Sequence, residues 1–154
     1  MAYISFQHKD TITNPLRRAI MAGGSGGDYV HCEIVLNEMG FVVCSSWYPQ
    51  GVEIRAWENK KNPGKWANYD IGSADAELFE FFTSKSGTRY TLGGLVLNMM
   101  LNAQEISKRS FCSQICYEAM RSVGHYDLPQ VVATSLSPQN LKNIIDSHNF
   151  KQIQ

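Results

Sequence analysis

The sequence predicts an α+β domain, residues 1–154 forming a single unit in which an antiparallel β-sheet packs against helices. Three observations carry this expectation. Short segments with apolar–polar alternation gather in the first half of the chain, at residues 2–6, 29–36, 41–47 and 52–57. Turn residues separate the last three of them at hairpin spacing. Segments with helical spacing of apolar residues dominate the second half, as at Leu78, Phe81 and Phe82 and at Ile115 and Ala119.

Residues 2–6, Ala-Tyr-Ile-Ser-Phe, alternate as a short strand. Asn14-Pro15 has the form of an N-cap followed by proline at the first helical position. The helix over residues 15–21 is expected to stop at Gly23-Gly24, with GGSGGD as a flexible turn. This glycine-rich loop follows a helix and leads into a strand, the reverse of the order a phosphate-binding loop needs. Residues 29–36, YVHCEIVL, form a strand rich in β-branched residues, and a turn over 37–40 returns the chain through 41–47 as a hairpin. Residues 48–51 turn into another alternating strand, 52–57. A polar loop over 58–64 then precedes a further strand at 65–71. Ser73 is the expected cap of a helix over 74–84, which residues 85–90 end. Residues 92–103 are apolar and Met-rich, as in a buried helix. Gly124 stops the helix after Cys112, and Ser137-Pro138 opens a last helix over 138–146.

Composition narrows the function. The chain carries 14 Lys and Arg against 14 Asp and Glu, so it has no basic field for nucleic acid. No apolar run approaches the ~20 residues of a membrane span, and MAYISFQHKD lacks a signal-peptide core, so a cytoplasmic location is expected. Four cysteines without paired spacing point to a reducing compartment rather than a disulfide framework.

The chemistry centres on residues 110–120, SFCSQICYEAM. Ser110 is placed as an N-cap, and Phe111, Ile115 and Ala119 share one stripe. Cys112 then falls in the first helical turn, where free N–H groups and the positive end of the helix dipole favour a thiolate, the form that attacks carbonyl carbon. The alternative is that Cys112 and Cys116 are two buried apolar residues on one helix face.

The base is read from the hairpin. Symmetric closure sets Leu36 opposite Phe41 and His31 opposite Ser46, so that His31, Glu33, Cys44 and Ser46 share one face. A polar group across the hairpin is what a positioned general base requires. A one-residue slip turns Ser46 away. His8 and His148 sit in polar surroundings and His125 in a turn, which leaves His31 as the histidine for Cys112. A metal site from His31, Cys32, Cys112 and Cys116 is disfavoured, because neighbouring strand residues point to opposite faces and no ligand-pair spacing is present. No metal or other cofactor is expected.

The ordered set YVHCEIVL, GTRYTLGG and FCSQICYEAM resembles the NlpC-type papain-like cysteine hydrolases in their circularly permuted branch, with the histidine strand before the nucleophile helix. That branch includes the lecithin retinol acyltransferase relatives and viral and bacterial permuted members. The flanking NPLRRAIMAG and LSPQNLKNIIDSHNF are similar to it too, so the likeness spans nearly the whole chain. The resemblance implies a permuted papain-like fold with Cys112 as nucleophile at a helix N-terminus and His31 as base. It implies a third, imidazole-orienting residue on the following strand, for which Ser46 is the nearest match, with Glu33 the alternative. Tyr90 matches the motif tyrosine near the nucleophile and is the substrate-contact candidate, although Thr91 stands where an acidic residue often follows. The implied activity is hydrolysis or acyl transfer on a peptide, amide or lipid ester through a thioacyl-enzyme. The competing expectation is an inactive scaffold that binds without turnover.

Overall fold

Strand-forming sequence builds a six-stranded antiparallel sheet in the computed structural model, which describes residues 1–39, 42–47, 50–56, 63–72, 74–88, 112–125, 127–131 and 136–153. The strands are β1 (Ala2–His8), β2 (Tyr29–Leu36), β3 (Val42–Trp47), β4 (Gly51–Ala56), β5 (Trp66–Gly72) and β6 (Gln152–Ile153), in the order β4-β3-β2-β1-β5-β6. Four α-helices accompany them among the described residues: α1 (Pro15–Ser25), α2 (Asp75–Lys85), α3 (Cys112–Ser122) and α4 (Pro138–Ser147). This is the expected α+β class. The two-residue β6 carries too little sequence to show a period and was not anticipated.

Alternation along the strands sends one set of side chains to the helices. Ala2, Ile4 and Phe6 of β1, Cys32, Ile34 and Leu36 of β2, and Ala67, Tyr69 and Ile71 of β5 form one core with Leu78, Phe82, Ile115, Met120, Leu141 and Ile145 from the helices. Full burial of each large apolar side chain contributes about 1.5–3 kcal/mol, so this layer holds the domain together. Phe6 sits at its centre, edge-on to Tyr29 and Tyr69, and truncation to alanine there costs roughly 3–5 kcal/mol. The opposite face differs: Tyr3 and Val35 make a small apolar cluster, and the buried polar residues Ser5, Glu33 and Ser45 accompany it.

Local signals set most helix ends. Asn14 Oδ1 accepts the Arg17 N–H at 3.0 Å with Pro15 at the first helical position, and Ser137 Oγ accepts the Asn140 N–H at 3.1 Å ahead of Pro138. The expected stop of α1 at Gly23-Gly24 is corrected: the helix runs through both and ends at Gly26. Gly26 takes φ 73°, and its N–H reaches the Ala22 and Gly23 carbonyls. Gly124, at φ 105°, follows α3 as expected. At α2 the cap position belongs to Ala74, which supplies no side-chain cap; Ser73 lies outside the described residues. The acid in its first turn is instead used structurally, for buried Asp75 accepts the Glu38 N–H at 2.9 Å and pairs with the Met1 ammonium at 3.1 Å. The expected helix at 92–103, the cap Ser110 and Phe111 also lie outside the described residues.

Candidate active site

Cys112 is the first residue of α3, whose Ile115 and Ala119 are buried against the sheet as the stripe required. The next residue anchors this turn: the buried Ser113 hydroxyl donates to the Leu136 carbonyl. Cys112 itself is 4 % exposed. Its position places the sulfur among the free N–H groups and positive dipole end of a helix start.

The hairpin sets what faces it. Ile34 pairs with Cys44, Val35 with Val43 and Leu36 with Val42, one residue off the symmetric closure that set Leu36 against Phe41. The paired ends leave residues 37–41 in the connection rather than 37–40, and one added residue shifts every pairing after it. The expected grouping of His31, Glu33, Cys44 and Ser46 on one face is therefore corrected. Cys44 stands on the core face with Ile34, and Ser46 occupies a register position opposite Val52, in step with Cys44 rather than with His31. Ser45 takes the place across from Glu33. It is fully buried, and its Oγ donates to the Cys32 carbonyl at 2.7 Å.

His31 and Glu33 keep their expected relation on one face of β2. His31 Nε2 lies 3.9 Å from Glu33 Oε2, with side chains 12 % and 7 % exposed. That separation is an ion-pair contact beyond direct hydrogen-bond reach. The other histidines serve structure. His8 Nδ1 accepts the Asp10 N–H at 3.3 Å, His125 Nε2 lies 2.9 Å from the Ile71 carbonyl, and half-buried His148 caps α4 beside the Ile144 carbonyl.

The Cys112 sulfur lies in the electrostatic neighbourhood of both the Cys32 thiol and the His31 imidazole. Alternation was expected to keep His31 and Cys32 from serving one centre, and here one sulfur lies near both. β2 and β3 are paired from Ile34 to Leu36; ahead of Ile34 the Ser45 hydroxyl takes over as the partner of the Cys32 carbonyl.

These neighbours set the charge state. The neighbouring Cys32 thiol, then the His31 imidazole, hold Cys112 well below the ordinary thiol range despite its burial. Burial, followed by the neighbouring Cys112 and Cys116, holds Cys32 well above it. Cys44 is pushed up by burial and by the neighbouring Cys116 and Glu33. Burial and the Glu33 charge push Tyr3 up to about 12. Among the described residues, no three His, Cys, Asp or Glu side chains are arranged to hold a metal ion. Tyr90 lies outside the described residues. Two participants were not singled out for this site from the sequence, Cys32 and Ser45. The first was set aside by strand alternation and the second by the register.

No protein-family model and no curated protein matches the chain. No helix of the described residues is long and apolar enough to cross a membrane.

Proposed function

We propose that the chain is a cysteine hydrolase or acyltransferase with a circularly permuted papain-like, NlpC-type fold. The observation that carries this reading is a helix-start cysteine set beside a strand histidine that precedes it in the chain, with surroundings that lower the thiol's pKa. Cys112 Sγ attacks the carbonyl carbon of an amide or ester. N–H groups at the start of α3 stabilise the oxyanion, and His31 passes a proton to the leaving group. The resulting thioacyl-enzyme is released when His31 activates water, or an alcohol or amine acceptor, for attack on the thioester. Glu33, 3.9 Å from the imidazole, replaces Ser46 as the residue that holds His31 in orientation. The substrate classes that fit this chemistry are peptides, amides and lipid esters, with Tyr90 as the contact suggested by the motif it occupies.

An activated acyl ester such as p-nitrophenyl acetate tests the reading. The expected result is a burst of phenolate with an acetyl group on Cys112 by mass spectrometry, lost in Cys112→Ala, and slowed turnover in His31→Ala. Steady hydrolysis with no acyl adduct, equal in both variants, overturns it and favours a binding scaffold.

A further inference from the structure

The strand that carries His31 breaks its own alternation just ahead of it. β2 pairs with β1 residue for residue from Leu36 opposite Ala2 to His31 opposite Gln7, then passes to Tyr29 opposite His8. Val30 is the extra residue of a β-bulge, a device that twists a strand and re-aims the side chains beside it. The faces record the turn. Tyr29 packs on the core, edge-on to Phe6 at 6.3 Å, and Cys32, three residues on, faces the same core. An unbroken strand sends residues three apart to opposite faces.

The aim of His31 therefore depends on what holds β2 ahead of the bulge. The His31 backbone pairs with β1 at Gln7, while among the described residues β3 pairs with β2 only from Ile34 onward. Ahead of Val30 the anchor comes from α4. Gln139 Oε1 accepts the Asp28 N–H at 2.9 Å and the Tyr29 N–H at 3.2 Å. A carbonyl oxygen has two lone pairs, so one side chain satisfies both donors. Gln139 Nε2 donates to Asn143 Oδ1 at 2.9 Å, one turn along the helix, which keeps the amide oxygen toward β2. Gly27 leaves the room for this approach: a Cβ there falls 2.6 Å from the Gln139 amide carbon and closer still to its oxygen. From other directions the Lys9 N–H donates to the Asp28 carbonyl at 2.7 Å, and the Lys142 ammonium lies 4.8 Å over the Tyr29 ring.

We propose that Gln139 is a positioning residue for His31, its side-chain oxygen clamping Asp28 and Tyr29 so that the bulge at Val30 presents the imidazole to Cys112. The inference rests on the reading of Cys112 and His31 as a working pair.

Turnover of p-nitrophenyl acetate by Gln139→Ala, Gln139→Glu, Gly27→Ala and His31→Ala tests it. Gln139→Ala is expected to lower kcat roughly tenfold with KM within about twofold of wild type, because a displaced base forfeits part of the ~10²-fold that a 1 Å misplacement costs. A carboxylate keeps an oxygen for both N–H groups, so Gln139→Glu is expected to recover most of that loss. Gly27→Ala drives a methyl into the Gln139 amide and is expected to match Gln139→Ala, with no further loss when the two are combined. It also carries the test if Gln139→Ala does not fold, because α4 then keeps every side chain. Wild-type kcat in Gln139→Ala and Gly27→Ala, beside slowed turnover in His31→Ala, overturns the proposal and leaves the catalytic reading standing. Equal losses in Gln139→Ala and Gln139→Glu overturn it too, because side-chain volume rather than acceptance is then at work. Wild-type turnover in His31→Ala removes the catalytic reading and the proposal together.

Discussion

Ser45 Oγ donates to the carbonyl of Cys32 at 2.7 Å, between two fully buried residues on adjacent strands. The bond lies where the backbone ladder between β2 and β3 has ended, and it holds the strand that carries both neighbours of Cys112. Ser45→Ala leaves a buried carbonyl without this partner, which costs about 1–3 kcal/mol. The expected result is a lower urea midpoint together with a raised alkylation midpoint at Cys112. A loss of stability with the Cys112 profile intact limits Ser45 to holding the sheet.

The register separates the two candidates for the residue that orients His31. Ser46→Ala is expected to leave kcat/KM on an activated ester within about twofold of wild type, since the position of Ser46 is out of step with His31. Glu33→Gln is expected to lower it at least tenfold, because a misoriented imidazole forfeits part of the roughly 10²–10⁴-fold supplied by general acid–base catalysis. The reverse ranking restores the symmetric hairpin and removes Glu33 from the mechanism.

Alkaline stability reports the buried thiols. Cys44 has a folded-state pKa raised by burial and by Cys116 and Glu33, so the folded chain keeps a proton that the unfolded chain releases near pH ~8.5. Its contribution is fully present below that pH and is lost as pH rises toward the folded value. Cys112 has the opposite sign: its lowered pKa stabilises above the unfolded thiol value, and that contribution fades as pH falls through the folded one. Urea unfolding from pH 7 to 10 is expected to show falling stability above pH ~8.5, with Cys44→Ala shallower by up to about 1.4 kcal/mol per pH unit. Parallel slopes in the two proteins contradict the buried, protonated state of Cys44.

The end of α1 distinguishes glycines that look alike in GGSGGD. Gly26 holds φ 73°, so Gly26→Ala is expected to lower stability by about 1 kcal/mol. Gly23 is exposed within the helix, and Gly23→Ala is expected to raise stability by about 0.5–1 kcal/mol. Thermal denaturation of both variants measures the difference, and a stabilised Gly26→Ala places the helix end elsewhere.

What the sequence disclosed was local. Asn14-Pro15 and Ser137-Pro138 announced two helices because a cap and its first turn are written in adjacent residues. The strand Tyr29–Leu36 matched to the residue, because β-branched composition and alternation agree along it. Cys112 at the start of α3 followed from reading Ser110 as a cap ahead of the Phe111, Ile115 and Ala119 stripe, of which Ile115 and Ala119 are buried in α3. The register of β2 against β3 was not legible, since one residue more in the turn changes every pair and the turn residues do not declare its length. Strand alternation set Cys32 apart from His31, and it could not reveal that both residues lie near the Cys112 sulfur. In α1, the left-handed Gly26, whose N–H reaches the Ala22 and Gly23 carbonyls, sets the end in spite of the weak helix propensity of Gly23 and Gly24.

The coupling of Cys112 to His31 is measured most directly by the rate of iodoacetamide alkylation at Cys112 against pH, in wild type and in His31→Ala. The account expects a wild-type midpoint well below the free-thiol value of ~8.5 and an upward shift once the imidazole is removed. A wild-type midpoint at or above that value, unmoved by His31→Ala, contradicts a thiolate–imidazole pair and with it the enzymatic reading.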